Sequence, residues 1–180
     1  MKIAIASDHG GVELKSALVS ALSAQATVLD RGPADKSSCD YPDYAVKVAR
    51  DVASGEADFG ILVCRTGIGM SMAANRFQNV RAALCHTVDA AVLSRQHNGA
   101  NVICIAGDSV SGEYALEMIR AFAATPVDES ERHARRRAKL ERAGRLSDAS
   151  GLLAADPEVF AAIAAQTALQ RGFGQIELRH

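Results

Sequence analysis

Residue type and spacing point most directly to chemistry in Gly60-Ile-Leu-Val-Cys64-Arg65-Thr66-Gly67-Ile68-Gly69-Met70-Ser71. An apolar run ends on a cysteine, two glycines follow, and a helix-forming stretch through Ala73, Ala74 and Asn75 begins at once. Glycines at 67 and 69 let backbone N–H groups face outward where a helix starts, an arrangement that cradles anions. The same positive end, with Arg65 beside it, favours the thiolate of Cys64. A thiolate next to N–H donors can take a proton from carbon while the donors hold the oxyanion that forms. The plain alternative is a buried structural cysteine before an ordinary glycine turn. Three other devices fail on spacing. A cysteine-phosphatase loop needs an Arg six residues after the Cys, and position 70 is Met. No Gly-Lys-Ser/Thr follows, so the loop is not a Walker A sequence. Position 72 is Met, where a dinucleotide fingerprint needs its third glycine.

Four further groups could join this loop. Asp8-His9-Gly10-Gly11 offers a carboxylate and an imidazole that could bind sugar hydroxyls or a phosphate. Read blandly, Asp8 caps a helix and the glycines turn the chain. Ser94-Arg95-Gln96-His97-Asn98 closes a helix, so His97 is either a cation at a helix C-terminus or a proton donor working near neutral pH. Asp40-Tyr41-Pro42 reads as a turn before a helix. Arg132 and Arg136 lie four residues apart on one helix face, able to grip a phosphate together or simply to face solvent.

Elements must hold these groups. Short runs rich in Val, Ile, Leu and Ala at Lys2–Ala6, Thr27–Asp30, Phe59–Cys64, Arg81–Cys85 and Val102–Ala106 read as strands covered on both faces. Helical spacing fills the intervals at Val12–Ala24, Tyr44–Ser54, Met70–Arg76, Val88–Gln96 and Gly112–Ala123. Alternation of this kind predicts an α/β domain with right-handed crossovers around a mostly parallel sheet. Ligands of such sheets sit beyond the carboxyl ends of the strands, so the loops Ser7–Gly11, Cys64–Gly69, His86–Thr87 and Gly107–Ser111 are the ones to watch. After Pro126 the composition changes. Asp128–Arg145 is a basic helix with its acidic residues early, which suits the helix dipole. One domain is expected over residues 1–145, followed at 146–180 by a helical extension with a helix at Pro157–Ala168 and a tail at Gly172–His180.

Composition narrows the classes. The 180 residues are 48% hydrophobic and 23% charged, with a net charge of −1. That balance gives no general attraction for nucleic acid or anionic lipid. Aromatics at 4%, without Trp, argue against a base-stacking surface. No apolar run approaches the roughly 20 residues of a membrane span, and the N-terminus meets charge too early for a signal peptide. The expectation is a soluble cytoplasmic protein. Cys39, Cys64, Cys85 and Cys104 form no Cys-x-x-Cys pair for metal or redox work.

In this order, the motifs resemble the family of type B ribose-5-phosphate isomerase and galactose-6-phosphate isomerase. The likeness rests on Ser7-Asp8-His9-Gly10-Gly11, Asp40-Tyr41-Pro42, the block from Gly60 to Asn75, Ser94-Arg95-Gln96-His97-Asn98 and Arg132-His133-x-x-Arg136, over about residues 1–143. The resemblance implies a three-layer α/β/α Rossmann-like sandwich with a five-stranded, mostly parallel sheet. It implies no metal and no organic cofactor. It also implies a homodimer or tetramer whose His-Asn and Arg segments complete the neighbouring subunit's site. By the same resemblance Cys64 is the base that moves a proton between C1 and C2, and His97 is the acid that opens the sugar ring. Thr66 and the amides of Gly67, Ile68 and Gly69 hold the enediolate. Asp8, His9, Tyr41 and Asn98 bind hydroxyls, and Arg132 and Arg136 the phosphate.

Two departures stand out. Position 65 is usually small in the family, and here it is Arg. After the fifth strand, where the family commonly carries a phosphate-gripping Arg, this chain has Gly107-Asp108-Ser109. Arg65 is therefore expected to bring the missing charge from another direction. The leading expectation is an aldose–ketose isomerase acting on ribose 5-phosphate, with tetrose and hexose phosphates as alternatives for the same chemistry. A non-catalytic sugar-phosphate-binding module would need no Cys–His proton-transfer pair, and a flavin or nucleotide binder would carry its cofactor.

Overall fold

A computed structural model describes residues 1–145 and Ala161. The expected helix at Pro157–Ala168 (Ala161 apart) and the tail at Gly172–His180 lie outside the described residues. The chain divides into a compact unit, Met1–Arg137, and a second unit, Ala138–His180.

The elements run β1 (Lys2–Ser7), α1 (Val12–Leu22), β2 (Thr27–Asp30), α2 (Tyr41–Ser54), β3 (Phe59–Cys64), α3 (Ile68–Ala74), β4 (Ala82–Cys85), α4 (Val88–Asn98), β5 (Val102–Ala106), α5 (Gly112–Ala124) and α6 (Glu131–Arg145). The sheet order is β2-β1-β3-β5-β4 and every pairing is parallel. Expected and observed strands agree to within a residue at each end. The largest differences lie at two helix starts: α2, whose first turn takes in Tyr41 and Pro42, and α6, which begins at Glu131 rather than at the expected Asp128. Proline is at home at the start of α2, because the first-turn N–H has no partner to lose.

Strand alternation sorts residues by size onto two cores. Ile3, Ile5, Phe59, Ile61, Val63, Ile103 and Ile105 face one side, packed with Leu18 and Leu22 of α1, Ala91 of α4 and Met118, Ile119 and Phe122 of α5. The opposite face carries Ala4, Ala6, Leu62, Cys64, Val102 and Cys104 against Val48 and Val52 of α2 and Met70 and Ala74 of α3. Small residues on that second face let α2 come close. A Cβ placed on Gly60 would stand 2.5 Å from Val48 Cγ1.

Parallel strands give the sheet two unlike edges. Register aligns Cys64 with Ala106 and Ser7 with Val63, so the loops after β1, β3 and β5 emerge together at the carboxyl edge. Helix α4 returns against the strand direction, so its C-terminal residues His97 and Asn98 lie at the amino edge, just before β5. Arg81, at the start of β4, confirms the placement by donating from Nε to the Gly99 carbonyl at 2.8 Å.

Candidate functional site

The carboxyl edge gathers most of the expected residues. Cys64 closes β3 and is 6% exposed. Its Sγ accepts the N–H of Gly67 at 3.0 Å. Gly67 takes a φ of +74° as the cap of α3, and an added Cβ would run into Leu84 and the Ile105 backbone, so only glycine fits. The Gly67 amide, expected to hold an oxyanion, donates to the sulfur in this structure. The next N–H groups, of Ile68 and Gly69, lie in the first helical turn, where no intrahelical carbonyl can receive them. Ile68 N–H makes only a long contact, 3.4 Å, to Thr66 Oγ1. Thr66 itself is exposed at the rim.

Tyr41 reaches this loop from α2. Its ring lies so close over Gly69 that a Cβ there would be 2.8 Å from Cζ. Asp8 does not cap α1, contrary to the bland reading of the sequence. Gly11 is the cap, and Asp8 Oδ1 accepts the N–H groups of Gly10 at 2.9 Å and Gly11 at 3.1 Å in a turn before the helix. The short carboxylate reaches the amides within its own turn more readily than a helix that starts four residues on. His9 is half-buried, and its Nδ1 lies 3.3 Å from the Cys39 N–H that donates to it and 3.2 Å from the Cys39 carbonyl. Sequence reasoning gave Cys39 no role. Thirty residues separate the pair, and no local pattern signals it.

Arg65 and Asp108, the two departures from the family pattern, are partners. Arg65 Nε donates to Asp108 Oδ2 at 2.8 Å, and the Asp108 N–H donates to the Arg65 carbonyl at 3.1 Å. The Arg65 stem crosses Gly10, where a Cβ would approach Arg65 Cγ to 2.5 Å. Asp108, and Asp8 more weakly, hold the guanidinium proton more firmly than usual. One exposed ion pair therefore ties together the three loops that surround Cys64.

His97, Asn98, Arg132 and Arg136 are not brought to Cys64. They share the amino edge. His97 stacks on His133, with ring centroids 4.3 Å apart and an interplanar angle of 11°. The Asp128 N–H donates to the Gln96 carbonyl at 2.8 Å, and Arg137 Nη1 donates to the Asp128 carbonyl at 2.6 Å, which fastens the start of α6 to the end of α4. Asn98, Arg132 and Arg136 are exposed. A strand of this length sets the two groups roughly 17 Å apart, beyond the span of one small sugar. Each chain thus carries two groups of expected site residues at opposite ends of the sheet.

Cys85 and Cys104 are buried and set apart from chemistry. Burial pushes the Cys85 thiol up and the fully buried Cys104 thiol well up. Among the described residues no group of three or more His, Cys, Asp or Glu side chains could hold a metal, and no helix is long and apolar enough to cross a membrane.

A fully parallel sheet covered on both faces, with a cysteine–glycine loop at its carboxyl edge, defines a Rossmann-like α/β protein. The chain belongs to the Ribose/Galactose Isomerase family, which it matches over residues 3–140. It is 43% identical over 122 residues to ribose-5-phosphate isomerase B of Escherichia coli, a match covering 67% of this chain and 82% of that protein. Among solved structures it is similar to a ribose 5-phosphate isomerase from Thermotoga maritima, with 47% identity, a TM-score of 0.76, and coverage of 78% of this chain and 97% of that one. It is also similar to ribose-5-phosphate isomerase B of Clostridium thermocellum, with 38% identity, a TM-score of 0.80, and coverage of 82% and 100%.

Proposed function

We propose that this sugar-phosphate isomerase interconverts ribose 5-phosphate and ribulose 5-phosphate through an enediolate, with Cys64 as the base. The observation that carries the reading is the sulfur at the end of β3, which accepts an N–H at 3.0 Å where α3 begins, with the first-turn amides of that helix following. Proton transfer between C1 and C2 needs a group that alternately takes and returns one proton, and a donor set for the oxygen that becomes anionic. Gly67 N–H is placed to hold negative charge on sulfur. Ile68 and Gly69 N–H hold the enediolate oxygen in this reading, with Thr66 at the rim. Asp8, His9 and Tyr41 lie on the same edge and serve the sugar hydroxyls.

His97, as ring-opening acid, Asn98 on a hydroxyl, and Arg132 and Arg136 on the phosphate complete the reading only from a second copy of the chain, because they lie at the far edge of their own sheet. Two copies related by a twofold axis bring the two half-sites together twice. Phosphate binding at one end of the sugar then orients the reacting carbons at the other.

The test is alkylation combined with substitution. Cys85 and Cys104 are sealed, whereas Cys39 is half-buried and touches His9, so the experiment uses Cys39→Ala as its background. In that background a thiol reagent abolishes turnover of ribose 5-phosphate, substrate protects, and Cys64→Ala lowers kcat by about a thousandfold or more, as loss of an essential base does. Turnover that survives both treatments removes Cys64 from the mechanism.

A further inference from the structure

His133 is a buried histidine that nothing above employs. It is 7% exposed, on the first turn of α6, and its ring lies face to face with His97 at 4.3 Å. Its Nε2 has two neighbours of opposite kind: Arg132 Nη2 at 3.4 Å and Asp128 Oδ2 at 3.6 Å. A guanidinium only donates, so the nearer contact requires Nε2 to accept, with the ring proton on Nδ1. A mere filler of this site would be apolar, since a buried polar ring costs stability unless its nitrogens are used.

The stack constrains charge as well as shape. Two imidazolium rings at this separation would repel, so the pair holds at most one proton comfortably. Burial pushes the His133 imidazole down from its ordinary value, and His97, Arg132 and Arg136 act in the same direction against the opposing pull of Asp128. His133 therefore stays neutral near pH 7.

We propose that His133 is a positioning residue that joins the acid to the phosphate grip: its ring face fixes the plane of His97, and its Nε2 holds the Arg132 guanidinium. One side chain thereby sets two groups that must meet different ends of the same substrate. The proposal deepens the isomerase reading and rests on His97 and Arg132 having the roles given there.

Two substitutions separate the two duties. His133→Phe keeps a flat ring against His97 and deletes the acceptor for Arg132. Its KM for ribose 5-phosphate rises about tenfold, and its affinity for inorganic phosphate in calorimetry falls by a similar factor, while kcat stays within about twofold. His133→Gln keeps an acceptor and removes the ring face, so kcat falls about tenfold and KM is held. A purely structural residue would instead lower both parameters together, in step with Tm. That result, or two folded variants that leave both parameters unchanged, overturns the proposal and leaves the isomerase intact. His97→Asn tests the underlying reading by itself. Lost turnover at unchanged KM sustains the acid, and retained turnover removes both the acid and this proposal. The unsubstituted chain supplies a check that needs no variant to fold. Ring currents in the stack shift the His97 Cε1–H resonance upfield, and an unshifted resonance in solution rules the stack out.

Discussion

An arginine beside the proposed base changes the rim of the site more than its core. Arg65 is 70% exposed and its partner Asp108 49%, so the pair contributes no more than about 1 kcal/mol to folding. Its effect lies in where it puts a guanidinium: Nε is committed to Asp108, and the stem is laid over Gly10. The sequence-based expectation that Arg65 supplies phosphate charge is best tested with both partners. Arg65→Gly and Asp108→Ala each leave Tm nearly unchanged. If Arg65 touches substrate, Arg65→Gly raises KM several-fold and Asp108→Ala, which releases the guanidinium, moves KM in the opposite direction. Equal KM values in all three proteins would show that the pair only ties loops. Neither residue announced the other, because 43 positions separate them. What joins them is the parallel register of Cys64 with Ala106, which sets the following residues side by side. The Cys64 loop itself was legible, because glycines two apart after an apolar run have few other uses. The His9–Cys39 and His97–His133 contacts were not, because they depend on how loops and helices meet.

At the scale of elements, strand positions followed from composition, since strands covered on both sides must be apolar throughout. Helix starts were harder to read. Pro42 looks like a breaker, yet its fixed φ suits the first turn of α2, and Asp8 looks like a cap while its carboxylate is used one turn earlier. The division of the sheet into a large-residue face and a small-residue face was not drawn from the sequence either. It has a measurable consequence at Gly60, which sits beneath α2 with Val48, Val52 and Val102 around it. Gly60→Ala should gain a little backbone stability but must push Val48 aside. Overpacking of this kind costs about 1–3 kcal/mol, enough to lower Tm by several degrees in thermal unfolding. An unchanged or raised Tm would mean that α2 can move away freely. Because Cys64 lies on the same face, a shift of α2 would also carry Tyr41 away from Gly69 and lower kcat/KM.

For the whole molecule, the decisive fact is that Cys64 and His97 occupy opposite edges of one sheet. If a second copy completes each site, two inactive variants can repair one another. Cys64→Ala and His97→Asn, each inactive alone, would regain up to about a quarter of wild-type activity after mixing and subunit exchange. Random pairing makes half the dimers mixed, and each mixed dimer keeps one of its two sites free of both substitutions. A site built within one chain predicts no recovery. The separation between the edges has a further consequence for anyone who assays the protein. On that reading, a chain that owns two halves but no whole loses its catalyst when it loses its neighbour. Simple dilution then acts as an inhibitor, and below the dissociation constant of the pair the initial rate should climb with nearly the square of protein concentration.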